Sequence, residues 1–225
     1  MLPSVATVAK MIDHSLLRPE LTKDDIKQGC ELAAQYAVAS VCVRPYDVPV
    51  AVGLLRGTGV LIGTVVGFPH GNSTSATKMD ETRDVIAAGA DEIDMVLPIG
   101  RLRDADELYV HDDIAAVVSA AETRCVKVIL ETSFLCRDGI IMGCRAADEA
   151  GADFVKTSTG FAGGGATIED VALMRASVSD HVQVKAAGGV RSLDTLLALH
   201  SAGATRFGAT VTAAILDDLA TRQAA

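Results

Sequence analysis

The stretch AAGADEIDMV, residues 87 to 96, holds the end of a helix, a glycine stop and the start of a strand. Glycine after a helix can take the left-handed backbone that stops it, and the β-branched residues that follow leave as a strand. EAGADFVKTS at 149 to 158 and SAGATRFGAT at 201 to 210 repeat this punctuation. The glycine-free QYAVASVCVR at 35 to 44 resembles them. Each copy marks a helix-to-strand junction.

Filling the gaps outward gives strands near 10 to 14, 39 to 44, 60 to 66, 91 to 97, 126 to 131, 153 to 157, 182 to 187 and 204 to 208. Helical patterns fall at 23 to 36, 46 to 55, 74 to 88, 104 to 121, 137 to 149, 168 to 177, 192 to 200 and 211 to 222. Over 225 residues this is one βα unit per roughly 28 residues, a spacing that fits a compact eight-fold repeat. The expected fold is α/β: a single (β/α)8 TIM barrel over residues 1 to 225, with a short N-terminal helical extension. An open doubly wound sheet is the alternative. It needs fewer units and usually an early glycine-rich phosphate loop, which this sequence lacks. The first and last strands are the least regular, since IDHSL is short and TRFGA carries charge and glycine.

Composition narrows the class of function. Hydrophobic residues make up 49% and aromatics 4%, with 20 Gly and no Trp, which suits parallel strands buried under helices. A net charge of −9 argues against a general nucleic-acid binder, so an anionic substrate needs a local site. The five cysteines, 30, 42, 125, 136 and 144, lack metal-type spacing and sit inside apolar helical or strand patterns. They read as reduced thiols. No apolar run is long enough for a membrane span, and the N-terminal stretch does not resemble a signal peptide. A cytoplasmic protein with no nucleic-acid or membrane partner is expected.

Active sites of β/α barrels lie at the carboxyl ends of the strands, and several strands here end in unexpected polar residues. In ADFVKTSTG, alternation puts Lys156 on the same face as Phe154, where it is buried. The Thr157 to Gly160 segment after it supplies hydroxyls suited to a polar substrate. VQVKAAGGVR places Lys185 one unit later, 29 residues on, so both lysines project into one barrel mouth. Neighbouring ammonium groups and desolvation lower a lysine pKa and give a neutral nucleophile. Asp94 in DEIDMVLP faces away from Ile93 and Met95 and either holds a lysine charged or passes protons. Asp91 and Glu92, nearer the strand start, are expected to be solvated.

An anion site is legible in AAGGVRSLD. Gly188 and Gly189 permit close backbone approach before a helix that begins near Ser192, and helix amino termini attract anions. RFGATVT, after the eighth strand, adds a second contribution. Arg191 is either a phosphate ligand or a rim charge.

The ordered set IDHSLLRP (12 to 19), VCVRP (41 to 45), GTVVGFPHG (63 to 71), ADEIDMVLPIG (90 to 100), KVILET (127 to 132), FVKTSTGF (154 to 161) and VKAAGGVR (184 to 191) resembles the deoxyribose-phosphate aldolase family over nearly the whole chain. The resemblance implies reversible cleavage of 2-deoxy-D-ribose 5-phosphate into D-glyceraldehyde 3-phosphate and acetaldehyde without a cofactor or metal. Lys156 is then the imine-forming residue, with Asp94 and Lys185 in proton transfer. Substrate and phosphate contacts are implied at Thr157, Thr159, Gly160, Gly188, Gly189, Arg191, Gly208 and Thr210. Cys42 matches a pocket cysteine open to modification by aldehyde side products and is non-catalytic. Homo-oligomers fit this reading. Two departures stand out. After Ala209, Thr210 and Val211 stand where the family frequently has Ser-Ser, removing one hydroxyl donor, and the chain ends TRQAA where some members carry an assisting tyrosine.

Two other readings remain open at the level of sequence. Five histidines, with His14 and His70 near strand ends, could serve a metal-dependent aldolase or epimerase, although no HxH or HExxH spacing occurs. A non-catalytic sugar-phosphate sensor would keep the anion site but has no need for Lys156, Lys185 and Asp94 together.

Overall fold

The junctions form at the backbone as the sequence predicts. The computed structural model describes residues 2 to 224, so Met1 and the final Ala225 of TRQAA lie outside the described residues. Gly89, Gly151 and Gly203 take φ of 108°, 83° and 115°. Ala37, at the matching place in the glycine-free copy, takes φ 50°, a left-handed conformation that its Cβ makes costly.

In chain order the first half comprises α1 (Val5–Ala9), β1 (Ile12–Leu16), α2 (Lys23–Gln35), β2 (Ser40–Val43), α3 (Val48–Leu55), β3 (Leu61–Val66), α4 (Ser75–Ala87) and β4 (Glu92–Val96). The second comprises α5 (Ile99–Arg103), α6 (Glu107–Ala121), β5 (Cys125–Ile129), α7 (Arg137–Glu149), β6 (Phe154–Lys156), α8 (Ile168–Ala176), β7 (Gln183–Ala187), α9 (Leu193–Ser201), β8 (Arg206–Ala209) and α10 (Thr212–Ala224). The strands are parallel and close in sequence order, with β8 pairing back onto β1. This is a (β/α)8 barrel with α1 as a short N-terminal extension.

Local chemistry accounts for where the elements depart from the expected boundaries. β1 starts at Ile12 rather than residue 10 because α1, capped at Ser4, closes with a turn through Lys10 and Met11, whose amides donate to Ala6 O at 3.2 Å and Val8 O at 2.9 Å. The helix expected over 104 to 121 starts at Glu107, and a separate short helix, α5, precedes it at Ile99–Arg103. Ala105 turns left-handed at φ 57°, and Asp106 caps α6 by accepting from Tyr109 N. A 3-10 turn at Pro45–Asp47 precedes α3. β8 begins at Arg206, two residues later than expected.

Strand alternation divides the side chains into two environments. Val41, Val43, Ile93, Met95, Val126 and Val128 face outward and are buried under the helices in one continuous core. Burial of such side chains is worth about 1.5 to 3 kcal/mol each. The opposite parity places Asp13, Glu92, Asp94, Lys127, Lys156, Lys185 and Arg206 inside the barrel, where register sets Asp94 beside Lys127, and Lys156 beside Lys185. Barrel interiors are usually packed with branched apolar residues. This one is ionic.

Candidate active site

An isolated charge inside a protein costs several kcal/mol, so buried charges are found paired. The seven interior groups obey this in a graded way. Lys127 Nζ reaches all three carboxylates, Glu92 at 2.7 Å, Asp94 Oδ1 at 3.0 Å and Asp13 at 3.9 Å. Lys185 reaches two, Asp13 Oδ2 at 2.5 Å and Asp94 Oδ2 at 2.6 Å. Arg206 also reaches two, Asp13 Oδ1 at 2.6 Å and Glu92 Oε1 at 3.2 Å. Lys156 reaches one oxygen, Asp94 Oδ2 at 2.7 Å, and shares it with Lys185. Full ionisation of three carboxylates and four bases leaves one positive charge in excess. The least neutralised base is Lys156.

The proton affinities follow the same order. Burial lowers the Lys156 amine, and the charge of Lys185 adds to this, so that Asp94 does not restore its ordinary value. Burial also opposes charge on Lys185, but Asp13 and Asp94 outweigh it and hold its pKa above the ordinary value. Lys127 is raised further, with Asp94, Asp13 and Glu92 overcoming burial. For Asp94, burial favours the neutral acid, yet Lys127, Lys156 and Lys185 together hold the carboxyl well below its ordinary range. A deprotonation-prone amine thus stands beside a persistent ammonium and a persistent carboxylate. Lys78 is another buried lysine with a lowered pKa. It lies outside the barrel, where its bonds to Asp113 at 2.6 Å and Val96 O at 2.8 Å tie α4 and α6 to the end of β4.

Above this network a cavity of about 130 Å³ opens at the carboxyl ends of the strands. Its size suits a small molecule, being below the roughly 300 Å³ at which drug-sized pockets begin. Lys156 and Lys185 form its floor, with Asp94 beneath them. Of the other residues singled out from sequence, Cys42, Gly160, Gly188, Gly189, Arg191, Gly208 and Thr210 line the same cavity. Gly160, Gly188 and Gly189 take φ of 83°, 81° and 82°, conformations that favour glycine. Ser192 caps α9 by accepting from Thr195 N at 3.2 Å. Burial pushes the Cys42 thiol up to about 11, with Asp94 adding to the effect, so it rests as a neutral thiol.

Thr157 and Thr159 are placed differently from the rest. The Thr157 hydroxyl donates to Ala187 O and accepts from Ala187 N, both at 3.0 Å, so it links β6 to β7 outside the cavity lining. Thr159 does line the cavity, but its amide and its hydroxyl both donate to Glu131 Oε2.

Two expectations are corrected. Glu92 is buried rather than solvated, because Lys127 and Arg206 close over its carboxylate. Cys136 is exposed, at the N-cap of α7 rather than inside an apolar pattern.

Several residues of the candidate site were missed by sequence reading, Arg18 and Phe161 of the cavity lining among them. Asp13 and Lys127 complete the ionic floor, Arg206 closes it from below, and Glu131 holds the wall at Thr159. Alternation in CVKVI was the available signal for Lys127, since Val126 and Val128 take the outer face. Glu131 sits at φ 57° after β5 and leaves no pattern in the sequence. His14 is buried with Nδ1 2.8 Å from Thr212 Oγ1, and among the described residues no three His, Cys, Asp or Glu side chains cluster as a metal-binding set. No described helix is long and apolar enough to cross a membrane.

The chain is 51% identical over 211 residues to a deoxyribose-phosphate aldolase of Clostridium perfringens, covering 93% of this chain and 94% of that one. It is 53% identical over 211 residues to deoxyribose-phosphate aldolase 2 of Staphylococcus aureus, covering 94% and 96%. A solved deoxyribose phosphate aldolase from Aeropyrum pernix, described as a unique tetramer, superimposes with a TM-score of 0.91 at 28% identity, covering 98% of this chain and 94% of that one. The DeoC/LacD family aldolase model matches residues 7–217. That span begins inside α1, ends inside α10 and takes in every barrel strand and every residue of the ionic floor, so this chain belongs to the DeoC/LacD family of aldolases.

Proposed function

We propose that this chain catalyses the reversible aldol cleavage of 2-deoxy-D-ribose 5-phosphate to D-glyceraldehyde 3-phosphate and acetaldehyde, through a Schiff base on Lys156. The observation that carries the reading is the unequal pairing inside the barrel. Of four interior bases, Lys156 alone has a single shared carboxylate oxygen, a lowered pKa and a place on the cavity floor.

Neutral Lys156 attacks C1 of the open-chain aldehyde, and loss of water leaves a protonated imine that acts as the electron sink. Removal of the C3 hydroxyl proton then drives cleavage of the C2–C3 bond. Carbon balance requires that bond, since breaking C3–C4 would leave three carbons on the lysine. The electron pair passes through C2 to the imine nitrogen and leaves a two-carbon enamine, while C3 to C5 depart as glyceraldehyde 3-phosphate. Protonation of C2 and hydrolysis release acetaldehyde and restore the amine. Asp94, held ionised, and Lys185, held charged, act with water as acceptor and donor. The phosphate lies against the Gly188–Gly189 turn, Arg191 and the Gly208 to Thr210 segment, as in many barrels after strands seven and eight. No metal or organic cofactor has a step in this scheme.

Borohydride reduction in the presence of acetaldehyde tests the reading. A stable two-carbon adduct on the peptide containing Lys156, formed equally with and without chelator, is the expected result. Equal turnover by the protein and its Lys156→Ala variant would sink the assignment. A cytoplasmic homo-oligomer completes the proposal, in keeping with the tetrameric description of the Aeropyrum pernix structure, and light scattering of the purified chain checks the assembly.

A further inference from the structure

The loop after β1 carries a guanidinium toward the cavity. Arg18 and Phe161 both line it, together with Gly188, Gly189 and Arg191. The backbone on either side of Arg18 is anchored. Leu17, just before it, is buried with Cys42 and Val65, and the half-buried Phe68 packs against them. Arg44 Nη1 donates to Arg18 O and Pro19 O, both at 3.1 Å, and Arg44 Nε is fixed to Asp47 at 2.6 Å.

The side chain is supported as well. The Arg18 guanidinium carbon sits 5.5 Å from the Phe161 ring centroid, within the range of a cation-π contact. Phe161 meets Phe68 edge to face at 5.2 Å, and its amide donates to Thr159 Oγ1 at 3.1 Å. Thr159 is in turn held by buried Glu131. A continuous support therefore runs from Glu131 through Thr159 and Phe161 to Arg18. Among the described residues no carboxylate lies within ion-pair distance of the guanidinium, in a chain whose net charge is −9.

β1 neighbours β8, so this loop stands beside the one that follows the last strand, and the loop after β7 lines the same cavity. We infer that Arg18, held on the Phe161 ring, is a ligand for the substrate's phosphate and sets the preference for phosphorylated over neutral sugars. A guanidinium matches phosphate oxygens with paired N–H donors, and the ring limits the ordering lost on binding. The cavity then has cations from the loops after β1 and β7 around the same anion. This inference rests on the sugar-phosphate reading above.

The test uses the full chain. Steady-state kcat/KM is measured for 2-deoxyribose 5-phosphate and for 2-deoxyribose, and inorganic phosphate binding is measured by calorimetry. Arg18→Gln is expected to lower the ratio of the two kcat/KM values at least tenfold, mainly through KM, and to weaken inorganic phosphate by a similar factor. Phe161→Leu is expected to lower the ratio by a smaller factor. A ratio and a phosphate affinity within twofold of the unaltered protein for Arg18→Gln overturn the inference. Failure of the underlying reading shows separately, as absence of the acetaldehyde adduct in the unaltered protein, because acetaldehyde carries no phosphate.

Discussion

Lys156 and Lys185 meet at one oxygen, Asp94 Oδ2, at 2.7 and 2.6 Å. Each lysine therefore limits how far the carboxylate can stabilise the other. Lys185 also has Asp13, and Lys156 has no second acid.

If Lys156 forms the proposed Schiff base, removing the better-paired lysine should spoil that amine without touching it. In Lys185→Leu the interior holds as many acids as bases, Asp94 serves Lys156 undivided, and the Lys156 pKa rises. Adduct formation with acetaldehyde at pH 7 should fall by roughly a hundredfold or more, the scale of a lost proton-transfer group. The limb of the kcat/KM profile that reports the free amine should move to higher pH. An unmoved limb would show that Lys185 does not control Lys156.

Lys127 touches every interior carboxylate, so its role is chiefly to hold the floor together. Lys127→Met removes the one base in contact with all three interior carboxylates and should destabilise the fold by about 3 to 5 kcal/mol. Urea unfolding with an unchanged slope provides the measurement. A loss below about 1 kcal/mol would show that the floor repacks freely.

Burial lowers His14 from 6.5 to about 4. The unfolded chain therefore binds a proton that the folded one refuses between those values, and stability declines as pH falls from about 6.5 to about 4. At about 1.4 kcal/mol per pH unit the loss is on the order of 3 kcal/mol. His14→Gln should flatten that window. Asp13 and Asp94 act lower, because their depressed values keep their contribution intact until pH drops below the ordinary carboxylate range, near 3.8. Chemical denaturation of both proteins at pH 7 and pH 4.5 separates the effects.

Ala37 occupies the position where the three sister junctions have glycine, and it is exposed at φ 50°. Ala37→Gly should remove the left-handed penalty of about 1 to 2 kcal/mol, less the entropy that glycine adds to the unfolded chain. A net gain of about 0.5 to 1 kcal/mol is expected. A lower melting temperature would contradict it.

The barrel was legible because its signals are local. Glycine after a helix, a short apolar run and a repeat of one unit are all read within ten or so residues, and they locate every strand to within a few positions. The same locality revealed Lys156, Lys185 and Asp94 as polar residues on strands otherwise apolar. The misses share a different cause. Glu92 is buried only because Lys127 and Arg206 come from strands far along the chain. Asp13 owes its place to β7 and β8. The commitment of Thr159 to Glu131 depends on two loops meeting in space, and no spacing within one segment records it.

The amine is prepared from below, by groups on strands that hydrogen-bonded neighbours lock in place, whereas Arg18, Phe161, Gly160, Arg191 and Thr210 all stand on connections above it. On the proposed function, ionisation and recognition therefore rest on physically separate parts of the molecule. Loops at the entrance can be exchanged to admit bulkier or uncharged acceptors while the reactive nitrogen keeps its strength, making the scaffold a tolerant host for altered carbon-carbon bond formation.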